Sequence, residues 1–424
     1  MLSGLPAERA FPYSEALLRF DFVRDLFGLK SHVYWAGDGL KTAKCILSNQ
    51  YDEQMDFGYG KGPRNSALTG AAFESLEHYL SQSQHISDSS VHYFSAGDYL
   101  ASTHLRINRA LETLTTDHKS KLPFRLYNCL SKDIQALYPV ALSAPKYLDD
   151  IADGYRPLAY DEFDYSSMNR YATNSGVAIG CTAEEAIIHG LLESVERHVF
   201  SNFLVSVFLS PHINKVNEVD RSSLPSALVQ LLGRAEKAIS GKIILLSLAN
   251  EFEIPVFMAS MADSSFSIDP AGFGASLSRE YAIRRSITEL VQCFHVTTCF
   301  HPESVVERDE LVLSHLEPFN LHKKCASLKV MSHIRKYGSK KVDFVSLPNY
   351  PMPRSLDSYL ELGVSKVANA GFDPYTTLLA SPYEKVFVSH TFLDGQDNFY
   401  CVTEGALVLP NDDVIDRIAI EFDS

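Results

Sequence analysis

The chain is poor in the features that usually betray a compartment or a cofactor. Of its 424 residues, seven are cysteine and one is tryptophan. The cysteines, at 45, 129, 181, 293, 299, 325 and 401, are odd in number and include no CxxC pair, so they suggest neither a zinc knuckle nor a disulfide framework. Positive charge is scarce as well: 38 Lys and Arg stand against 52 Asp and Glu, a formal net charge of −14. A surface built on nucleic-acid phosphates needs the opposite balance, so no nucleic-acid partner is expected. No apolar run approaches the roughly 20 residues of a membrane span. The opening MLSGLPAERAFPYSEALLRF lacks the basic start and apolar core of a secretory signal. No membrane association and a reducing cytoplasmic setting are the resulting expectations. A GxxxxGK[ST] phosphate loop is also missing, because GYGKG at 58–62 has the wrong spacing.

What the chain does have is acid at helical spacing. Glu74 and Glu77 recur three apart, as do Glu193 and Glu196 with Arg197 beside them, and Glu289 follows Arg285 by four and precedes Gln292 by three. Residues three and four apart share a helix face, so each segment presents its charges as one ridge. Three ridges that converged would form a polyanionic cavity. The cations expected there are hard divalent ions, and Mg²⁺ is held by a few carboxylates with phosphates and waters completing its shell. For any one of these glutamates a solvated helix face is the ordinary fate. It is the repetition that argues otherwise.

Each ridge follows a strand-like stretch with glycine. HVYWAG at 32–37 reads as a strand. GYGKG at 58–62 reads as a turn leading to a helix that starts near Ser66, with Leu68, Ala71, Ala72, Leu76, Tyr79 and Leu80 on its apolar stripe. ATNSGVAIGC at 172–181 precedes Thr182-Ala-Glu-Glu185, a capping-box signature for a long helix. That helix carries Glu185, His189, Glu193 and Glu196 or Arg197 along one side and Ile187, Ile188, Leu191, Leu192 and Val195 along the other. Buried strands are expected at 242–248 and 254–261, then a third helix from about 278 to 293 with Ala282, Ile283, Ile287 and Leu290 facing inward. Residues 82–160 carry no interpretable motif. FESLE at 73–77 and LESVE at 192–196 superpose without a gap, as two helices in equivalent parts would.

TNSGVAIGCTAEEAIIHGLLESVERHVF resembles the central signature of the YcaO superfamily. Gly60-Lys61-Gly62 with Glu74 and Glu77 is similar to the family's first block, and GFGASLSREYAIRRSITELVQ to its third, with Arg285, Glu289 and Gln292 in register. The blocks span roughly 55–410. The resemblance implies an α+β fold of mixed β-sheets with three acid-bearing helices around a nucleotide site. It divides the chain into an N-terminal segment of unclear role at 1–55, a catalytic domain at 56–410, and a tail at 411–424 without a proline-rich motif. Departures from the family pattern are Cys181 where many members have Asn, Gly70 where Ser is common, and His78 where Arg is frequent.

The implied enzyme uses ATP and Mg²⁺ to phosphorylate a peptide backbone amide oxygen, after which a nucleophile adds to the carbon and phosphate leaves. A Cys, Ser or Thr side chain gives an azoline, the precursor of a thiazole or oxazole as in some bacteriocins. Sulfide gives a thioamide and an amine gives an amidine. By the same resemblance Glu74, Glu77, Glu193, Glu196 and Glu289 hold the metal ions. Lys61, Glu185, Arg197, Arg285 and Gln292 line the nucleotide, and Glu193, Glu196, Arg197 and Arg285 act in catalysis. Phosphoryl transfer depends on positioning and charge stabilisation, which suits these residue types. The partners implied are a ribosomally made precursor peptide, a separate leader-binding, ThiF-like or TfuA-like protein, a dehydrogenase, and a second copy in a homodimer. Azoline-forming cyclodehydration is the leading expectation. Thioamide or amidine formation, a non-catalytic accessory protein, and an unrelated Mg²⁺-dependent ligase are the alternatives. His189 could assist proton transfer or simply pack, and Cys181 reads as a small buried thiol.

Overall fold

The computed structural model describes residues 8–210, 214–414 and 416, so most of the expected tail at 411–424 lies outside the described residues. Helix α1 (Tyr13–Leu26) leads into an antiparallel sheet of β1 (Lys30–Ala36), β2 (Lys41–Ser48) and β3 (Gln54–Gly62), after which α2 (Arg64–Leu80) begins. Strand β3 crosses the boundary drawn at residue 56.

The stretch without interpretable motifs supplies β4 (His92–Ser95), β5 (Lys121–Cys129) and β6 (Gln135–Pro139). Then come β7 (Val177–Gly180), helix α3 (Ala183–Leu204), β8 (Val216–Val219) and α4 (Ser226–Ala238). Strands β9 (Ile243–Ser247), β10 (Val256–Met261) and β11 (Ala271–Ala275) precede α5 (Arg279–His295). The described chain closes through β12 (Ser339–Val342), α6 (Leu356–Asn369), β13 (Pro374–Ala380) and β14 (Phe387–Leu393). Among the described residues the strands form three sheets, ordered β1-β2-β3, β11-β10-β9-β8-β12 and β4-β5-β13-β14-β7, with β6 paired to β5. The second is mixed, because β12 runs parallel to β8 while the other pairs are antiparallel. This is the expected α+β architecture.

One topological fact positions the site. Strands β3, β7 and β11 each lie at the end of their sheet, and each is followed at once by an acid-bearing helix. The helix folds back over the strand it follows and buries its apolar stripe there: Ala67, Ala71, Ala72 and Leu76 on α2, Ile188, Leu191, Leu192 and Val195 on α3, Ala282, Ile283, Ile287 and Leu290 on α5. The starts are fixed locally. Pro63 precedes α2 in extended conformation, Thr182 accepts a hydrogen bond from Glu185 N, and Ser278 accepts one from Tyr281 N.

The glycines of the three pairs make the approach close. Those of GYGKG, expected in a turn, lie within β3, where a Cβ on Gly60 would sit 1.9 Å from Ala67 O and one on Gly58 2.3 Å from Ser75 N. A Cβ on Gly272 or Gly274 of β11 would stand 2.2 Å from Ser286 O or Ala282 O of α5. Gly180 of β7 is held 2.6 Å from Ala186 N in the same sense. Glycine within a strand marks such an approach of another backbone as readily as it marks a turn.

Gly60→Ala should therefore lower stability by about 2 to 3 kcal/mol, since backbone and not a movable side chain stands in the way. Gly233→Ala, inside α4 with nothing within 4 Å of the added Cβ, should raise it by up to about 1 kcal/mol through helix propensity. Denaturant unfolding of the two variants checks both. Equal effects would mean that the close strand–helix contact is not what the glycine serves.

Candidate active site

The three ridges converge. Glu74 on α2 faces the backbone N–H of Tyr59 on β3, and Glu77, one turn on, faces that of Ile179 on β7. Carboxylates of the first helix thus stand against the end strands of two sheets. Glu193 and Glu196 come from α3 and Glu289 from α5. Lys61 on β3 forms an ion pair with Glu289, Arg197 Nε stands 3.9 Å from Glu193 Oε1, and Arg285 Nη1 donates to Ala275 O at 3.4 Å. The Arg197 guanidinium also lies 5.3 Å above the ring of Tyr400, whose hydroxyl is 2.6 Å from Thr173 Oγ1. These side chains are recessed but reachable: Glu289 keeps 21% of its surface open, Arg197 26% and Glu193 29%.

Acid outweighs base in this cavity. Burial raises the Glu77 carboxyl to about 8, with Glu193 and Glu74 adding repulsion. Burial also raises Glu193 to about 7, with Glu196 and Glu289 contributing. Glu74 and Glu196 are raised for the same first reason. Glu289 is the exception, because Lys61, Arg197 and Arg285 outweigh its burial and hold it below the ordinary value. A group of carboxyls that retains protons near neutral pH is a cavity short of cations.

The residues fit Mg²⁺ and a nucleotide. The donor set is all oxygen, and the buried Glu196 Oε2 has no hydrogen-bond partner. Among the described residues no three of these groups are arranged to share one ion, and Lys61 is paired with Glu289.

Two of the expected nucleotide-lining residues stand apart from this centre. Gln292 lies one turn beyond Glu289 on α5, half-buried. Glu185 turns toward the chain's own N-terminal segment, accepting from Arg9 Nη1 at 2.9 Å, Ala10 N at 3.3 Å and Cys181 N at 3.1 Å. The capping box is consequently half made. Thr182 caps Glu185 N, while the Glu185 carboxylate does not return to Thr182.

Sequence reasoning missed Glu8 and Arg9, which add a carboxylate and a guanidinium to the neighbourhood of Arg285 and Glu185. No periodicity or motif marks them. It also undervalued His78. Burial disfavours its charge, but Asp56, Glu74 and Glu77 raise it to about 9, so it is a cation at neutral pH. Cys181 is inert as expected, its thiol pushed up to about 12 by burial. His189 is neutral, burial holding it well below its ordinary value, and its Nε2 has no hydrogen-bond partner. His390 is a structural residue whose Nδ1 lies 2.8 Å from Tyr127 OH. With Asp394 it lines a separate cleft that contains none of the centre's carboxylates, nor Lys61, Arg197 or Arg285, although Thr173 beneath Tyr400 lines it too.

Comparison with known proteins decides the family. The model of the YcaO cyclodehydratases, described as ATP- and Mg²⁺-binding, matches residues 58–395. The chain belongs to this family. Membership places the chain in a family described as ATP- and Mg²⁺-binding and removes the unrelated-ligase alternative. The structure of YcaO from Methanopyrus kandleri bound with AMPPCP and Mg²⁺ superposes with a TM-score of 0.66 at 19% identity, covering 95% of this chain and 96% of that one. A heterocyclase in complex with substrate and cofactor superposes at 0.63 with 16% identity, over 92% of this chain and 53% of that one. At such identities the likeness shows the YcaO fold alone. An uncharacterised protein in the tfuA 3′ region of Rhizobium leguminosarum bv. trifolii is 28% identical over 128 residues, 28% of this chain and 30% of its own length. This chain spans about a third of the curated relatives it matches.

A pH dependence follows from the raised carboxyls. Between the ordinary glutamate value of 4.5 and about 8, Glu77 and Glu193 hold protons that the unfolded chain has released. The native state therefore binds more protons than the unfolded one, and stability falls as pH rises through that window. A divalent ion reverses this, because it needs the carboxylates deprotonated. The melting temperature without Mg²⁺ should drop between about pH 5 and pH 8.5, and the rise on adding Mg²⁺ with a non-hydrolysable ATP analogue should be larger at the alkaline end. A Mg²⁺ effect independent of pH would show that these two carboxyls do not receive the ion.

Proposed function

We propose that this YcaO enzyme activates a backbone amide of a ribosomally made precursor peptide for azoline-forming cyclodehydration of Cys, Ser or Thr. The observation that carries the reading is the cavity itself: carboxylates from three helices, holding protons near neutral pH, with Lys61, Arg197 and Arg285 among them. Such a set is costly to assemble and has no use in a scaffold.

In this reading Glu74, Glu77, Glu193, Glu196 and Glu289 would hold Mg²⁺. Lys61, Arg197 and Arg285 would meet the phosphates, the arginines with a bidentate grip, and Glu185 and Gln292 would line the nucleotide more distantly. ATP with Mg²⁺ supplies the phosphoryl group that turns the amide oxygen into a leaving group. The chain's own side chains align donor and acceptor and neutralise developing charge. Arg197 is well suited, because burial is outweighed by Glu196 and Glu193 and its charge is held firmly. Thiol chemistry from the protein is disfavoured, since burial holds Cys181 and Cys293 up at about 12. The attacking nucleophile then comes from outside this chain: from the peptide itself in the azoline formation proposed here, and from an added sulfide or amine in thioamide or amidine formation.

A partner that presents the peptide is part of the proposal. The heterocyclase matched over 53% of its length carries about as much chain again beyond this fold. The likeness to a protein in a tfuA 3′ region points to a TfuA-like or leader-binding, ThiF-like protein supplied separately. A dehydrogenase acting on the azoline and a homodimer complete the assembly we propose.

Glu193→Gln should weaken Mg²⁺-dependent ATP binding at least tenfold, about 1.4 kcal/mol, in calorimetric titration with and without Mg²⁺. Unchanged binding would remove Glu193 from the metal set, and absent binding in the unaltered protein would remove the nucleotide site.

A further inference from the structure

Glu8 enters this region from outside the three strand–helix pairs, on the segment that precedes α1. It is completely buried, at 0% exposure. Its Oε1 accepts from Ser276 Oγ and from Tyr359 OH of α6, each at 2.5 Å, and Tyr359 OH is itself oriented by accepting from Leu277 N at 2.9 Å. Its Oε2 has no hydrogen-bond partner. Leaving a buried carboxylate oxygen in that state costs free energy that something must offset. Among the described residues one cation lies within ion-pair distance of it, Arg285 Nη1 at 3.8 Å. The next residue strengthens the placement, because Arg9 and Ala10 N both bind Glu185 on α3. The segment is thus pinned to α3, to α6 and to the turn before α5.

Arg285 has three acids close enough to act on its charge: Glu196, Glu8 and Glu289. Two of them belong to the ridges and would be drawn off by metal ions. Glu8 does not belong to the ridges, and it is a poor candidate for a metal ligand, since Oε1 already receives two donors and a guanidinium stands against Oε2. We infer that Glu8 is a positioning residue that holds the Arg285 guanidinium toward the nucleotide phosphates once Mg²⁺ has taken Glu196 and Glu289. The inference rests on the nucleotide reading of the site. Its physical content is preorganisation. A long side chain with one fixed counter-ion behind it loses less rotamer freedom when phosphate arrives, and Arg, unlike Lys, has an orientation that matters.

The test is calorimetric titration of ATP at saturating Mg²⁺, and of Mg²⁺ at fixed ATP, with the full chain. Glu8→Gln keeps the size and the Oε1 acceptor but loses the charge. ATP affinity should fall about tenfold, while the Mg²⁺ concentration for half-saturation stays unchanged. Arg285→Lys should show a comparable fall, and the double variant should be no weaker than Arg285→Lys alone, because a point charge leaves nothing to orient. If Glu8→Gln does not fold, Tyr359→Phe removes one donor from Oε1 and keeps the charge. It should cost about two- to threefold in ATP affinity in the natural background and nothing in Arg285→Lys. Losses that add in the double variant, or a shift in the Mg²⁺ half-saturation, would overturn the inference. Absence of Mg²⁺-dependent ATP binding in the unaltered protein overturns the nucleotide reading and this inference with it. Binding that Glu8→Gln leaves intact overturns the inference alone.

Discussion

The excess of carboxylate over cation at the meeting of three helices is the constraint that the rest of the molecule accommodates. These acids would separate if they could, since Glu193 strengthens Glu77's hold on its proton while Glu196 and Glu289 strengthen Glu193's. They are kept together because the helices beneath them are buried on their far sides by Leu76, Val195 and Ile287, all fully enclosed. Apolar burial of roughly 25 cal/mol per Å² over three such stripes exceeds the repulsion of a few half-protonated acids. Packing therefore sets the geometry and electrostatics records the strain.

The strand under each helix matters as much as the helix. A site at the ends of three sheets has three unpaired edges pointing into it, and an unpaired backbone N–H in a recessed cavity carries its own cost. Glu74 and Glu77 answer part of that cost by facing Tyr59 N–H and Ile179 N–H. A carboxylate that accepts from an edge amide is held in one direction, which a ligand for a metal ion needs. The glycines of β3 and β11 bring helix and strand close enough for this to happen. The edge strand with a close-packed, acid-bearing helix is repeated three times, and the contact of carboxylate with edge amide belongs to α2.

Much of that device was legible in the chain. Spacing of three and four residues identified the acids, Thr182 and its surroundings identified the start of α3, and the apolar runs at 242–248 and 254–261 became β9 and β10. The glycines were legible as special but not as strand residues, because a turn and a close backbone approach make the same demand on a side chain, namely that there be none. Residues 82–160 were opaque for another reason. The central strand of this group, β5, draws part of its order from β13, far along the chain, and its side chains alternate too irregularly to announce a strand, while β4 and β6 are short and pair only with β5. Glu8 and Arg9 left no signal because a segment that binds through single side chains needs no period.

His78 shows what a pattern of residue types leaves out. Set beside the family it is a departure, a weak base in the place of a strong one. Inside the fold, Asp56 is held at about 2 by His78, whose Nδ1 stands 3.6 Å from its Oδ1, and by a hydrogen bond from Lys146, which together outweigh its burial, and so is fully charged. With Glu74 and Glu77 it keeps the imidazole protonated up to about 9. The cation is preserved although the residue is not. The converse holds for Glu185, an acid in register with the family whose charge is spent on Arg9. A position matters to such a site through the charge it presents after its neighbours have acted on it, and those neighbours come from β3, the helix Pro145–Ala152 and the N-terminal segment as well as from the motif.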